Sequence, residues 1–373
     1  TMDDDLMQRI ERVTGAEDAQ DGPLRVEPID AVEWTSAALA PACIVESYLF
    51  ADVAVLIAPG GTGKTTVMLY EAVHIALGLP LYGLVVQHPG TVIILTAEDT
   101  REMLVARLRR IAEELDLTPA QIEQIRRDVR ILDVSGTGTR LTEVVGDVVM
   151  PSPYVGELAD SLRELEPVLI TIDPAVSFGV GESRINDAEQ GLVEAGRRLR
   201  RALSCCVRYI HHSGKANARE GTLDQYSGRG GSAFADGSRM VHVLQSVTPT
   251  DWHRATGREL QPGDSGLILA RPKMSYCAPQ DPIHVRRRGY SFEAVATVQS
   301  DPMAALERDA LALLHIVRTS DRPTRNKLEG MDTGLKRARL RQILNILIED
   351  GRVIESETGA TSGAKYYLSA SPD

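Results

Sequence analysis

Nine consecutive residues, Ala58-Pro-Gly-Gly-Thr-Gly-Lys-Thr-Thr66, hold the clearest chemistry in this 373-residue sequence. Gly60, Gly61 and Gly63 allow the backbone to fold into a concave nest whose N–H groups point inward, with the positive end of a following helix behind them. A cradle made from Pro59, Gly60, Gly61, Thr62, Gly63, Lys64, Thr65 and Thr66 suits the phosphates of a nucleoside triphosphate. In it Lys64 reaches the β- and γ-phosphates and the Thr65 hydroxyl ligates Mg²⁺. The first position of the G-x-x-x-x-G-K-[ST] pattern is Ala58 instead of glycine. Three further groups stand where such a site needs them. Asp173 ends the apolar run Pro167-Val-Leu-Ile-Thr-Ile-Asp, which fits a carboxylate holding the Mg²⁺ shell beside Thr65. Glu98 and Asp99 end the β-branched run that starts at Thr91, and His211 and His212 end the run that starts at Cys206.

These residues need a scaffold that brings strand ends together, and the pattern between them supplies one. Val53-Ala-Val-Leu-Ile57 enters the glycine-rich turn, and a helix-like run over residues 67–76 leaves it. Residues 91–96, 129–134, 167–173 and 206–212 read as strands, and continuous apolar runs of this kind belong to strands buried on both faces. Residues 101–116 read as an amphipathic helix with Met103, Leu104, Leu108, Ile111 and Leu115 on one face; residues 155–165 and 188–203 read as further helices, and residues 136–153 as a looser connection. Strands alternating with helices predict an α/β fold with a mostly parallel, doubly wound sheet whose carboxyl edge binds the ligand. Three later runs, 238–245, 266–274 and 283–288, are separated by turn-rich segments and predict antiparallel extensions of that sheet. Residues 213–237, polar and glycine-rich, read as a long structureless connection, which inside a compact domain is usually either functional or disordered.

The domain plan has four parts: an acidic tail over 1–22, a core over 23–298, a linker over 299–303 and a small module over 304–370. In the lead-in at 23–50, Trp34 is expected to pack on the core, although a tryptophan there could also stack on an adenine. The last module shows three helical runs followed by two short strands around a glycine-rich turn, the pattern of a winged helix. Its third helix carries Lys336, Arg337, Arg339 and Arg341, but residues 301–373 hold 11 basic and 11 acidic side chains, so both duplex DNA and a protein partner stay open. The net charge of −11 argues against a protein that coats nucleic acid with its whole surface, because such binding needs many phosphate contacts. It leaves room for a local basic groove. No apolar run approaches the ~20 residues of a membrane span. The acidic N-terminal stretch lacks a signal-peptide pattern, and the four cysteines form no C-x-x-C pair, so a reduced cytoplasm is the expected setting.

Taken in order, the phosphate loop, Ala97-Glu-Asp99, the Asp173 strand, His211-His212 and Gly228-Arg-Gly-Gly-Ser232 resemble the RepA-type hexameric replicative helicases, RecA-fold ATPases of plasmids and phages. The resemblance covers roughly residues 40–292, including Lys273-Met-Ser-Tyr-Cys-Ala-Pro279, and excludes the last module. It implies ATP and Mg²⁺ as cofactors and Lys64, Glu98, Asp173, His212 and Arg229 as the catalytic set. Glu98 would orient the attacking water; its other reading is a helix N-cap, a task better suited to Asp99 or Thr100. His212 would sense the γ-phosphate, or else be a strand-end histidine bonded to backbone. Arg229 would act as a finger in the neighbouring subunit's site, or else contact DNA phosphates. Lys273 would be a second contact in trans, or else surface charge. A finger in trans implies a homo-oligomer, a hexameric ring, because a head-to-tail interface closes on itself. Residues 177–187 and 213–227 would then face the channel and hold single-stranded DNA, with Lys215, Arg219, Phe178 and Tyr226 available. The other function class compatible with these residues is a nucleotide-controlled scaffold that does not unwind DNA.

Overall fold

The six residues Val53–Ala58 are all buried, as an apolar strand covered on both faces must be. The computed structural model describes residues 27–180, 185–214, 222–228, 232–298, 302–331, 333, 335, 337–357 and 365–370. A short helix α1 (Ala31–Ser36) and a hairpin of β1 (Cys43–Val45) and β2 (Leu49–Phe50) lead into β3 (Val53–Ala58). There follow α2 (Lys64–Leu77), β4 (Val92–Thr96), α3 (Arg101–Glu114), α4 (Pro119–Asp128) and β5 (Val129–Asp133). A second hairpin, β6 (Thr142–Val145) and β7 (Val148–Pro151), precedes α5 (Tyr154–Leu162), β8 (Leu169–Asp173), α6 (Ile185–Leu203) and β9 (Cys206–His212). The series ends with α7 (Ala233–Gly237), β10 (Met240–Val247), α8 (Pro249–Thr256), β11 (Asp264–Met274), β12 (Ile283–Arg288) and β13 (Ser291–Val295).

Among the described residues nine of these strands form one sheet, in the order β13-β12-β11-β10-β3-β9-β8-β4-β5. From β10 to β5 every neighbouring pair is parallel; β11, β12 and β13 continue antiparallel. Side-chain alternation divides the core into two layers. Ala54 and Leu56 face Met68, Val73 and Ile75 of α2 together with Leu104 and Ile111 of α3. Val53, Val55 and Ile57 face Leu158 of α5 and Leu192, Val193 and Leu199 of α6. The helices on the two faces stop where local chemistry tells them to. Gly78 ends α2 in the left-handed region at φ 68, Thr100 caps α3, and a reciprocal Thr118–Gln121 capping box with Pro119 opens α4.

Several expectations are corrected here. The 238–245 run is not an antiparallel extension: β10 lies parallel beside β3, with Val241 opposite Val55. A fourth late strand, β13, joins the sheet, and the segment read as looser contains the β6–β7 hairpin. Trp34 does not pack on the core; it is 78% exposed on α1. Met103 points outward from α3, whose inner face is made of Leu104, Leu108 and Ile111. Among the described residues no helix is long and apolar enough to cross a membrane.

The chain divides into two compact units between Thr297 and Val298. The second consists of α9 (Pro302–Thr319), α10 (Arg325–Gly330) and α11 (Arg337–Glu349), followed by the antiparallel pair β14 (Val353–Glu357) and β15 (Lys365–Ser369). Leu313, Leu328, Leu340, Leu344, Leu347 and Tyr367 form its separate core. Its basic side chains are largely engaged within the unit: Arg339 pairs with Asp309 at 2.9 Å, Arg341 with Glu329 at 2.7 Å and Arg352 with Glu307 at 3.1 Å. Lys336 lies outside the described residues.

Candidate active site

The turn between β3 and α2 needs its glycines. Gly61 and Gly63 both take φ 84, a backbone state that side-chain-bearing residues rarely adopt. Gly63 is also the N-cap of α2 and offers no side-chain bond to the first-turn N–H groups, which leaves them for an anion. Thr62 braces the loop by donating to the Pro59 carbonyl at 2.8 Å. A Cβ added at Gly60 or Gly61 would meet nothing within 4 Å, so the cradle is open on that side.

Register brings the other groups to the same edge. Ala58 stands opposite His212 in the β3–β9 pair, and Thr96 opposite Asp173 in the β4–β8 pair. These are the carboxyl ends of parallel strands, where such sheets bind ligands. Lys64 Nζ donates to the Pro59 carbonyl at 3.2 Å and lies 3.2 Å from His212 Nδ1. Burial lowers the Lys64 pKa, against the opposing pull of Asp173 and Glu98. Thr65 Oγ1 donates to Asp173 Oδ2 at 3.3 Å. Asp173 is only 7% exposed, and burial first, then the Glu98 charge, pushes its carboxyl up to about 6.

Glu98 is exposed at the end of β4, close enough to act on both Asp173 and Lys64. The Ala97 N–H donates to the Asp173 carbonyl at 3.1 Å and fixes the backbone just before it. The N-cap reading of Glu98 does not apply: Thr100 accepts from the Met103 N–H, and Asp99 pairs with Arg107 at 2.7 Å. Magnesium fits this arrangement. The Thr65 hydroxyl and the buried Asp173 carboxylate are two adjacent oxygen donors beside the phosphate cradle. Such an ion usually keeps waters and phosphate oxygens as its remaining ligands, so two protein donors are enough.

Not every expected residue joins the site. Arg229, Lys215 and Arg219 lie outside the described residues. The neck of their loop is visible: Ser213 N–H donates to the Ala58 carbonyl at 3.1 Å, Gly214 N–H to Ser227 at 3.0 Å, and Ser213 bridges Gly228. Phe178 is fully buried among Val193, Leu192 and their neighbours and offers no face to a base, whereas Tyr226 is half exposed. Lys273 is bound to its own chain, donating to the carbonyls of Ala235 and Asp236 at 2.5 and 3.0 Å. Two partners were missed from the sequence. Glu189 of α6 stands 3.9 Å from His211, and Arg287 of β12 lies against Gly63 of the phosphate loop. The run Arg286-Arg287-Arg288 at a strand end was the available signal for the second; an isolated glutamate in a charged helix gave none for the first.

A comparison of the sequence with known families matches residues 25–218 to a family described as AAA domain, just over half of the chain. The matched span holds Lys64, Thr65, Glu98, Asp173 and His212. It ends before Gly228 and before the second unit.

Proposed function

The chain belongs to the AAA domain family and so carries a nucleotide-hydrolysing ATPase domain; from that premise we propose that it is a RepA-like ring motor that hydrolyses ATP at subunit interfaces and moves on single-stranded DNA. The observation that carries the reading is the meeting of Lys64, His212, Thr65 and Asp173 within 3.2–3.3 Å contacts at one sheet edge, with Glu98 beside them. In the reaction a water oxygen attacks the γ-phosphorus, the bond from that phosphorus to the β-bridging oxygen breaks, and ADP leaves. Glu98 orients the water and takes its proton. Lys64 and the N–H groups of residues 60–66 hold the β- and γ-phosphates. Thr65 and Asp173 would hold Mg²⁺, which neutralises phosphate charge when bound. His212, beside Lys64, reports the γ-phosphate to the loop that begins at Ser213. Arg229 enters the neighbouring subunit's site, which makes hydrolysis depend on a closed hexameric ring. The 213–227 loop contributes Lys215, Arg219 and Tyr226 to the DNA, so backbone charge dominates over stacking. The reading keeps a core over 23–298 and a linker over 299–303, takes the module over 304–370 as a winged helix, and sets the motor to replicative work in the cytoplasm.

A second reading, a nucleotide-controlled scaffold, is favoured by two specific observations. Phe178 is buried away from any base, and Arg339 and Arg341 are already paired with carboxylates. In that case the second unit docks a protein partner and no duplex is opened. The deciding experiment measures ATP hydrolysis against protein concentration, with and without single-stranded DNA, alongside unwinding of a forked duplex. A motor shows steep concentration dependence, DNA stimulation and strand separation. Arg229→Ala abolishes hydrolysis, and mixing it with Glu98→Ala restores part of it. Hydrolysis linear in protein, indifferent to DNA and unaltered by Arg229→Ala refutes the ring motor.

A further inference from the structure

β12 ends in Arg286, Arg287 and Arg288 at the turn into β13, and the three differ in what they touch. Arg286 pairs with Glu293, and Arg288 with Asp264 at 2.7 Å. Among the described residues Arg287 forms no ion pair with a carboxylate. Its Nε donates to the Gly289 carbonyl at 3.1 Å, and its guanidinium carbon stands 5.6 Å from the centre of the Phe292 ring. Those contacts hold the head of the side chain by its inner edge and its face and leave the terminal nitrogens pointing onward. They point at the phosphate loop. A Cβ built on Gly63 would lie 3.1 Å from the guanidinium carbon and 3.6 Å from Nη2, and closer still to Nη1.

The placement is built, not incidental. Glu114, at the end of α3, accepts the Tyr290 N–H at 2.8 Å, and its carboxylate fills the space a Cβ on Gly289 would need. Gly289 takes φ 57 there. Phe292 in turn packs edge-on against Tyr70 of α2, the helix that the phosphate loop opens. The turn that carries Arg287 is thus tied to α3 on one side and to the phosphate-loop helix on the other. It holds a planar, permanently charged donor over Gly63 of the same chain.

We propose that Arg287 is a nucleotide-binding residue acting in cis, its terminal guanidinium nitrogens donating to phosphate oxygens of the ATP held by the loop at residues 58–66. A guanidinium fork matches phosphate geometry and keeps its charge at every working pH. Gly63 is then required twice, for its positive φ and for the approach of Arg287. The proposal rests on the nucleotide reading of the site but not on rings, DNA or Arg229.

The test is equilibrium binding of a ribose-labelled fluorescent ATP, with magnesium, to the full chain and to Arg287→Ala, Arg287→Gln and Arg287→Lys, with the melting temperature of each. Charge-assisted hydrogen bonds of this kind predict a Kd raised about 10- to 100-fold in Arg287→Ala and Arg287→Gln, and a smaller loss in Arg287→Lys. Glutamine keeps a planar polar head against Phe292, so it carries the test where alanine fails to fold. Full recovery of affinity in Arg287→Gln would make Arg287 a brace for the turn and overturn the proposal. Wild-type affinity in both neutral variants would overturn it as well, while leaving the nucleotide site intact. A wild-type chain that binds no ATP would overturn the nucleotide reading beneath it.

Discussion

Glu71 of α2 and Arg208 of β9 are both fully buried, and Arg208 Nη1 donates to Glu71 Oε2. The other carboxylate oxygen of Glu71 accepts the Tyr48 hydroxyl at 2.7 Å and the Tyr82 hydroxyl at 3.1 Å. This cluster ties the helix after the phosphate loop to the strand that ends in His212. Removing one partner of a buried ion pair strands the other charge and costs about 3–5 kcal/mol. Alanine at 71 would also strip two tyrosines of their acceptor at about 1–3 kcal/mol each, so glutamine is the cleaner replacement. Glu71→Gln and Arg208→Met should therefore each destabilise the first unit by about 3–5 kcal/mol. The double variant removes both charges, keeps an acceptor for the tyrosines and fills the arginine's volume. It should fall within about 2 kcal/mol of wild type, giving a coupling of about 4 kcal/mol or more. Urea unfolding followed by tryptophan fluorescence reads the correct unit. The two tryptophans are Trp34 and Trp252, both before Thr297, and Trp252 is 1% exposed. Additive losses in the double variant would refute the argument, because they would mean that neither charge depends on the other.

Other outcomes follow from the site. Glu98→Gln should retain ATP binding while lowering the turnover rate about 10²- to 10⁴-fold, the range for losing a general base, measured by phosphate release and by a binding titration. The raised Asp173 carboxyl means that the folded chain holds a proton between about pH 4 and 6 that the unfolded chain has released, so this group's contribution to stability falls as pH rises through that window. Asp173→Asn should accordingly be more stable than wild type at pH 7.5 without nucleotide, by on the order of 2–3 kcal/mol, with hydrolysis abolished. Equal stability at pH 7.5 would mean that burial does not strain the carboxylate. Trp34→Ala, at an exposed position, should leave the urea midpoint followed by circular dichroism within about 0.5 kcal/mol of wild type.

The parts of the site legible in the sequence were those written as a buried run ending in a polar group. Val92–Thr96, Leu169–Asp173 and Cys206–His212 declared themselves in that way, Val53–Ala58 did so by running into the glycine-rich turn, and parallel register then aligned their ends. Strand direction was not legible. Met240–Val247 is a buried run whose residue types are the same whichever way it runs, and only the pairing with β3 settles it as parallel. The β6–β7 hairpin left a trace that went unread, a two-residue Gly146-Asp147 connection between valines, with Gly146 at φ 62. Phe178 illustrates a different limit: an aromatic in a polar stretch looks available for stacking until the second core layer is seen to enclose it. The run Arg286-Arg287-Arg288 marks a basic strand end, but its place at the phosphate loop, 224 positions after Gly63, depends on a hairpin turn pinned by Glu114, a contact that sequence spacing does not encode.

The sheet order also sets a timetable for synthesis. β3, the strand that carries the phosphate loop, is made early, yet its neighbours in the sheet begin only at Cys206 and Met240. At ribosomal speeds of about 5–20 residues per second, the interval from Ala58 to Met240 lasts roughly 10–40 seconds. For the first roughly 7–30 seconds of it, until Cys206 is reached, a wholly apolar six-residue strand has no permanent partner, and pairings this distant in the chain are slow to form. ATP therefore cannot serve as a template for the first half of the nascent chain. The phosphate cradle gains its last strand neighbours late in the first unit's translation, and protection of Val53–Ala58 until then falls to whatever holdase meets the growing polypeptide.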